Sequence, residues 1–297
     1  MPRNTIFSEE GHEFGVNDIA IDDTRVYSVG GDGSLVVWDK SSLKKERRIP
    51  ISESGLLSIA IGTDHIYIGG SYNESFITVL SIPNLQVTAV LKEHSSSIFD
   101  MKIESDLLVS GSADDEVILW NLPDMIPQAS VVVGNHIVQA VESDDKHIFV
   151  GGIGDFVGVY KKTKLELIAK LLGHEADIFS LAVDDRFVYS GSGEVWWGGP
   201  GSPRPPSFES AIRVWKKNDW NCVAVLEGHK DNVNAIAVDD DLVYSISDDG
   251  TIRAYHKSDW SQAENQDLKN RALTAMTSDD EYLFIGSSTG KVCKLSK

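Results

Sequence analysis

Residues 16–40 read VNDIAIDDTRVYSVGGDGSLVVWDK. From Val16 to Ile21 the large apolar side chains, Val16, Ile19 and Ile21, are set among small or polar ones, and the pair Asp22-Asp23 breaks the run. A second alternating run leads to the turn residues Gly31 and Asp32, and a third ends at Trp38. Alternation at period two marks strands with one buried face, and Asp or Gly between such runs marks tight hairpins. The same succession recurs in IFSLAVDDRFVYSGS (178–192) and in VNAIAVDDDLVYSISDDGTIRAYHK (233–257). A fourth, more exposed strand follows, as at 221–226.

His12, His94 and His174 are spaced at two periods each, giving a unit of about 40 residues, the length of one propeller blade. Seven units follow, with first strands near Val16, Leu56, Ile98, Val138, Ile178, Val233 and Leu273. The last unit stops after its third strand. Residues 4–8 precede the first Gly-His as a fourth strand would, so they are expected to pair with 291–295 and close the ring, removing a free sheet edge. The expectation is an all-β, seven-bladed β-propeller with four antiparallel strands per blade. It forms one domain over 1–297, with an insertion loop at 193–210 in blade five.

The motifs Gly11-His12, Gly173-His174, Gly228-His229 and Trp38-Asp39 make the chain resemble the WD-repeat (WD-40 type) family along nearly its whole length. The resemblance implies a buried network of loop His, strand Ser, turn Asp and strand Trp within a blade. By position, blade one carries His12, Ser28, Asp32 and Trp38, and blade three carries His94, Ser110, Asp114 and Trp120. Blade six carries His229, Ser245, Asp249 and Tyr255. Blade five keeps His174, Ser190 and Trp215, but the insertion disrupts its turn. Blades two, four and seven place Leu80, Tyr160 and Leu295 near the Trp position and Ile68, Val150 and Ile285 at the Ser position, so apolar packing must serve there.

A net charge of -18 argues against a binder of phosphate backbones, so no nucleic acid partner is expected. No apolar run reaches the roughly 18 residues of a membrane span, and the N-terminus lacks the apolar segment of a secretory signal. Two isolated cysteines, Cys222 and Cys293, fit a reducing compartment, and a cytoplasmic monomer is expected. There is no P-loop, nucleophile elbow or zinc-ligand spacing. The repeated histidines fall one per blade rather than around one ion. No catalytic residue, metal or cofactor is therefore expected.

The first hairpin of each unit is acidic, as at Asp22-Asp23 and Asp184-Asp185. Turn chemistry accounts for this, because Asp caps turns. Lysines after the third strand, Lys40, Lys217 and Lys257 among them, are expected to offset these acids on the same face. Asp144 is taken as an exposed hairpin acid whose removal costs little.

In the family, residues flanking the first buried position of each opening strand line the binding funnel. Here these include Asn17, Leu57, Phe99, Gln139, Asp177, Phe179 and Asn234. Phe99 and Phe179 are aromatic at an otherwise polar rim, the usual character of a binding anchor. The alternative is that either ring folds back onto its own blade. The insertion adds Trp196 and Trp197, and its PRPP (203–206) has the form of a polyproline ligand. Acids such as Glu93, Glu175 and Asp177 are thinly neutralised on that face. The expected function is a non-catalytic scaffold or adaptor that binds a protein or peptide with a basic segment, centred between Phe99, Phe179 and the insertion. The alternatives are a propeller enzyme with a central metal and a regulatory domain of a larger protein.

Overall fold

The computed structural model describes residues 5–9, 11–134, 137–194, 209–269 and 271–297. Trp196, Trp197 and the PRPP motif lie outside the described residues. The fold is an all-β, seven-bladed β-propeller, each blade a four-stranded antiparallel sheet. Blade one comprises Val16–Ile21, Arg25–Gly30, Ser34–Asp39 and Lys45–Pro50, paired in that order. Blade three comprises Ile98–Glu104, Leu107–Ser112, Glu116–Asn121 and Ile126–Val132. The seventh sheet takes its outer strand from the other end of the chain. Thr5 pairs with Leu295, Ile6 with Lys294 and Phe7 with Cys293, as the spacing predicts.

Two compact units are distinguishable, Met1–Val138 with Arg271–Lys297, and Gln139–Asn270. Within the first, blades pack face to face through apolar side chains. Val16, Trp38 and Leu43 of blade one lie with Phe284 and Val292 of blade seven, and Tyr27, Leu35 and Val37 lie with Leu56 and Ile66 of blade two. Within the second, Trp215 and Ile178 of blade five close on Phe149 and Val159 of blade four. Burying each such side chain contributes roughly 1.5–3 kcal/mol, which is why the alternating runs hold these sheets together.

The opening strands carry a bulge just after their first buried residue, at Val16/Asp18, Leu56/Ser58, Ile98/Asp100, Ile178/Ser180, Val233/Ala235 and Leu273/Ala275. A side chain of the preceding blade then caps the carbonyl at that first residue. Thr274 Oγ1 donates to Val16 O, Asn17 Nδ2 to Leu56 O, Ser58 Oγ to Ile98 O and Ser180 Oγ to Val233 O. Close approach needs a small neighbour. A Cβ on Gly191 would stand 2.4 Å from Ser180 Oγ and 2.7 Å from Val233 Cγ1. The outer strands are bulged too, opposite Trp38, Leu80, Trp120, Tyr160, Trp215 and Tyr255. A bulge spoils the regular edge that another strand would need for pairing.

The acidic hairpins are turn-formers, as expected. Asp22 Oδ1 accepts the backbone N–H groups of Thr24 and Arg25, and Asp184 Oδ1 those of Arg186 and Phe187. In blades one, five and six a lysine crosses to the hairpin of the blade before it. Lys40 Nζ meets Asp279 Oδ2 at 2.9 Å, Lys217 meets Asp144 and Lys257 meets Asp184. Asp144 is thus not the free surface acid that its hairpin suggests. Its other oxygen caps Lys146 and His147, and burial, which alone would raise its carboxyl, is outweighed by these partners, which hold it at about 2.

Candidate functional site

The buried networks fix the proton positions by simple chemistry. In blade one Trp38 Nε1 lies 2.9 Å from Ser28 Oγ, Ser28 Oγ 2.8 Å from His12 Nε2, and His12 Nδ1 2.9 Å from Asp32 Oδ1. An indole N–H can only donate and a carboxylate can only accept. The Ser28 hydroxyl therefore donates to Nε2, and Nδ1–H donates to Asp32. Blade three repeats this with Trp120, Ser110, His94 and Asp114 at 2.8, 2.8 and 3.0 Å. Asp32 Oδ2 also caps the N–H of Glu13, and Asp114 Oδ2 that of Ser95. Burial would raise both carboxyls, but these hydrogen bonds prevail and bring each to about 2. Burial pushes the His12 ring the other way, below its ordinary value, in keeping with a neutral imidazole.

Blade six departs in one member. His229 reaches Ser245 at 2.8 Å and Asp249 at 3.1 Å, but the Tyr255 hydroxyl donates to Glu227 O instead of joining the serine. Blade five is more complete than its disrupted turn suggests. Trp215 and His174 both reach Ser190, at 2.8 and 2.7 Å, and Glu209 Oε2 stands 3.3 Å from His174 Nδ1 and caps the N–H of Glu175. The contact with Nδ1 is long and off the N–H axis, so it is an electrostatic neighbour more than a linear hydrogen bond. Counting backward from the third strand identifies Glu209, which precedes Ala211 by two places as Asp32 precedes Ser34.

One cluster of the described residues has the composition of a metal site, His94, Asp114 and Glu116, whose ligand atoms lie within 4.8 Å of one another. Both His94 ring nitrogens are already engaged, so a metal would have to break the network.

The expected rim residues divide by their hydrogen bonds. Asn17 is committed to Leu56 O, Asn234 Nδ2 to Asp248 at 2.7 Å, and Asp177 Oδ1 accepts the N–H of Gly154 at 3.1 Å. Leu57, Gln139 and Phe179 are half-buried, and Phe179 lies against Gly193. Phe99 is 37% exposed at its bulge. Two further aromatics at the same strand ends escape a count of rim positions. Phe14 is 64% exposed in the loop between His12 and Val16, and Tyr72 is 83% exposed beyond Gly70. The Tyr72 N–H donates to Ser97 Oγ, beside the start of the Phe99 strand. Tyr72 also has a φ of 25°, costly for a bulky side chain. An aromatic inside a Gly-His loop or a second hairpin is the signal that would find them.

Against known proteins, the family described as "WD domain, G-beta repeat" matches residues 3–39, 85–121 and 220–256. These stretches end on Asp39, Asn121 and His256, the last residues of the third strands of the blades whose networks have Asp in the turn. "DENN domain-containing protein 3" of Mus musculus is 25% identical over 207 residues, 65% of this chain and 15% of that protein. The "Guanine nucleotide-binding protein subunit beta" of Saccharomyces cerevisiae is 27% identical over 122 residues, 38% of this chain and 29% of that protein. The matched part is thus less than a third of either relative. Among solved structures, the "WD40 beta propeller domain of Doa1" superposes with a TM-score of 0.81 at 18% identity, covering 99% of this chain and 97% of that one.

Proposed function

The chain is a WD-repeat β-propeller, and on that premise we propose that it is a non-catalytic scaffold or adaptor that holds a polypeptide segment at the strand ends bearing its Gly-His loops. Phe99 carries the reading. The equivalent residues Asn17 and Thr274 are tied to the backbone of the next blade, whereas Phe99 at the same bulge is exposed. Exposed aromatics have the character of binding anchors. Phe14 and Tyr72 extend the apolar surface of that unit, and Phe179 is the corresponding contact in the other.

The partner is a segment with Arg or Lys beside an apolar anchor. The chain carries a net charge of -18, and acids such as Glu53 and Glu93 border the same strand ends. A basic segment would be steered in, and salt would weaken it. The protein acts as a monomer in the cytoplasm and does not bind nucleic acid. Binding without chemistry is consistent with His12 and His94, whose ring nitrogens are both spent on structure.

The test is selection of a displayed random-peptide library on the purified chain. Enriched peptides should be basic and should lose about tenfold or more affinity for a Phe99→Ala/Phe179→Ala protein that melts like wild type. Peptides that bind both proteins equally would refute the placement.

A further inference from the structure

Three of the four network blades keep a guanidinium of their own beside the network. In blade one Arg48 Nη2 lies 3.0 Å from Asp32 Oδ2 and 3.1 Å from Glu13 Oε1. In blade five Arg213 Nε donates to Glu209 at 3.1 Å. In blade six Arg253 lies under Gly228, where an added Cβ would stand 2.5 Å from its Nη1. Blade three has none. Ile118 occupies the place of Arg213 and Arg253, and Ser130, paired with Ile118, occupies the place of Arg48, which pairs with Val36.

Two further departures sit at the same spot. The glycine before the network histidine in the other three blades is Glu93 here. The hydroxyl residue two places after the turn Asp, Ser34 or Thr251 in blades one and six, is Glu116. Ser34 and Thr251 cap their aspartates at 2.6 and 2.7 Å, and Glu116 offers a carboxylate instead. Among the described residues, Glu93 and Glu116 have no Lys or Arg partner, and Asp114 is paired only with His94. Where the sister blades place a guanidinium, blade three has an open cavity of about 250 Å³, lined by Glu93 and Glu116 together with Ile118, Pro127, Gln128, Ala129 and Ser130.

We propose that this cavity in blade three is an arginine slot, filled in trans by an arginine side chain of the bound polypeptide. The guanidinium takes the role that Arg48 plays in blade one. It donates to the Glu93 and Glu116 carboxylates, and its methylene stem lies on Ile118, Pro127 and Ala129. A planar, weakly hydrated cation suits such a half-apolar, half-acidic pocket better than an ammonium does. A divalent ion suits it less, because His94 and Asp114 would first have to give up their hydrogen bonds. The proposal rests on the basic-segment reading above and names the residue type recognised and a place for it away from Phe99.

The experiment uses the full chain and three labelled heptapeptides of Gly, Ser and Leu that differ only in a central Arg, Lys or citrulline, followed by fluorescence anisotropy. The Arg peptide should bind about tenfold or more tighter than the citrulline peptide, with Lys between them. Glu93→Gln/Glu116→Gln should reduce Arg to the citrulline level. Ser130→Arg rebuilds the blade-one arrangement, so it should melt at or above wild type and shut the Arg peptide out. Equal binding of Arg and citrulline, no measurable binding of the Arg peptide at millimolar concentration, or full binding to the Ser130→Arg protein overturns the slot. So does a zinc ion that binds one per chain and is lost in Glu116→Gln, since it makes this a metal site. If Phe99→Ala/Phe179→Ala abolishes binding and Ser130→Arg leaves it intact, the slot fails and the scaffold reading stands. The reverse pattern keeps the slot and moves the anchors.

Discussion

Glu209 Oε2 stands 3.3 Å from Nδ1 of His174, so the carboxylate missing from the turn of blade five is supplied from the far side of the insertion. The same carboxyl receives the Arg213 guanidinium and the Glu175 N–H. Glu209→Ala should strand a buried imidazole and a guanidinium together, at a cost of roughly 1–3 kcal/mol. Chemical denaturation of the variant measures this, and a loss below about half a kcal/mol would mean that His174 does not depend on Glu209.

Asp114→Ala and Asp144→Ala should be of similar severity, about 1–3 kcal/mol each. The first loses the His94 and Ser95 contacts. The second loses the lysine of the next blade and two turn caps. Paired urea melts decide the matter. An Asp144 variant indistinguishable from wild type would return that residue to the status of a surface charge.

Removal of residues 1–8 should leave the outer edge of the Val292–Ser296 strand unpaired, its inner edge still held by Tyr282–Ser287. Ser8 accounts for part of the loss, since its hydroxyl accepts the Val292 N–H. The melting temperature should fall by more than about 5 °C, and aggregation should rise as the edge opens. Supplying residues 1–8 as a synthetic peptide should recover part of the loss.

Asp18 predicts an unusual pH dependence. Burial raises its carboxyl to about 7 despite the N–H groups of Ile19 and Ile59 at 2.8 Å. The unfolded chain releases this proton near 4, so between pH 4 and 7 the folded state binds more protons. Its contribution to stability therefore falls as pH rises through that window. Asp18→Asn removes the effect. The variant should gain about 1–2 kcal/mol relative to wild type between pH 5 and pH 7, and parallel stability curves would contradict the shift.

The fold was legible because a propeller repeats one local pattern. Period-two runs, Asp hairpins and the recurring histidine located the blades and the closing strand without any knowledge of contacts. Contacts between blades were less legible. Nothing near Asp144 in sequence announces Lys217, and nothing near Asn17 announces Leu56 O, because both partners belong to the following blade. In blade five His174, Ser190 and Trp215 were legible but Glu209 was hidden, because the count ran forward into the insertion, and Tyr255 was matched by position although its hydroxyl points to Glu227. Rim positions transferred from a family tell which residues stand at the strand ends. They do not tell which of these, like Asn17 and Asp177, are already committed to holding the blades together.

The pairing of Thr5 with Leu295 also sets a clock on synthesis. The strand Thr5–Phe7 has no partner until Cys293–Leu295 have left the ribosome. At about 5–20 residues per second that wait is roughly 15–60 s, during which Ile6 and Phe7 stay unpaired. Blades built from consecutive strands can collapse as they emerge, but the seventh sheet forms only once its inner strand, Val292–Ser296, has been made. It is therefore the pairing left longest open to capture by chaperones.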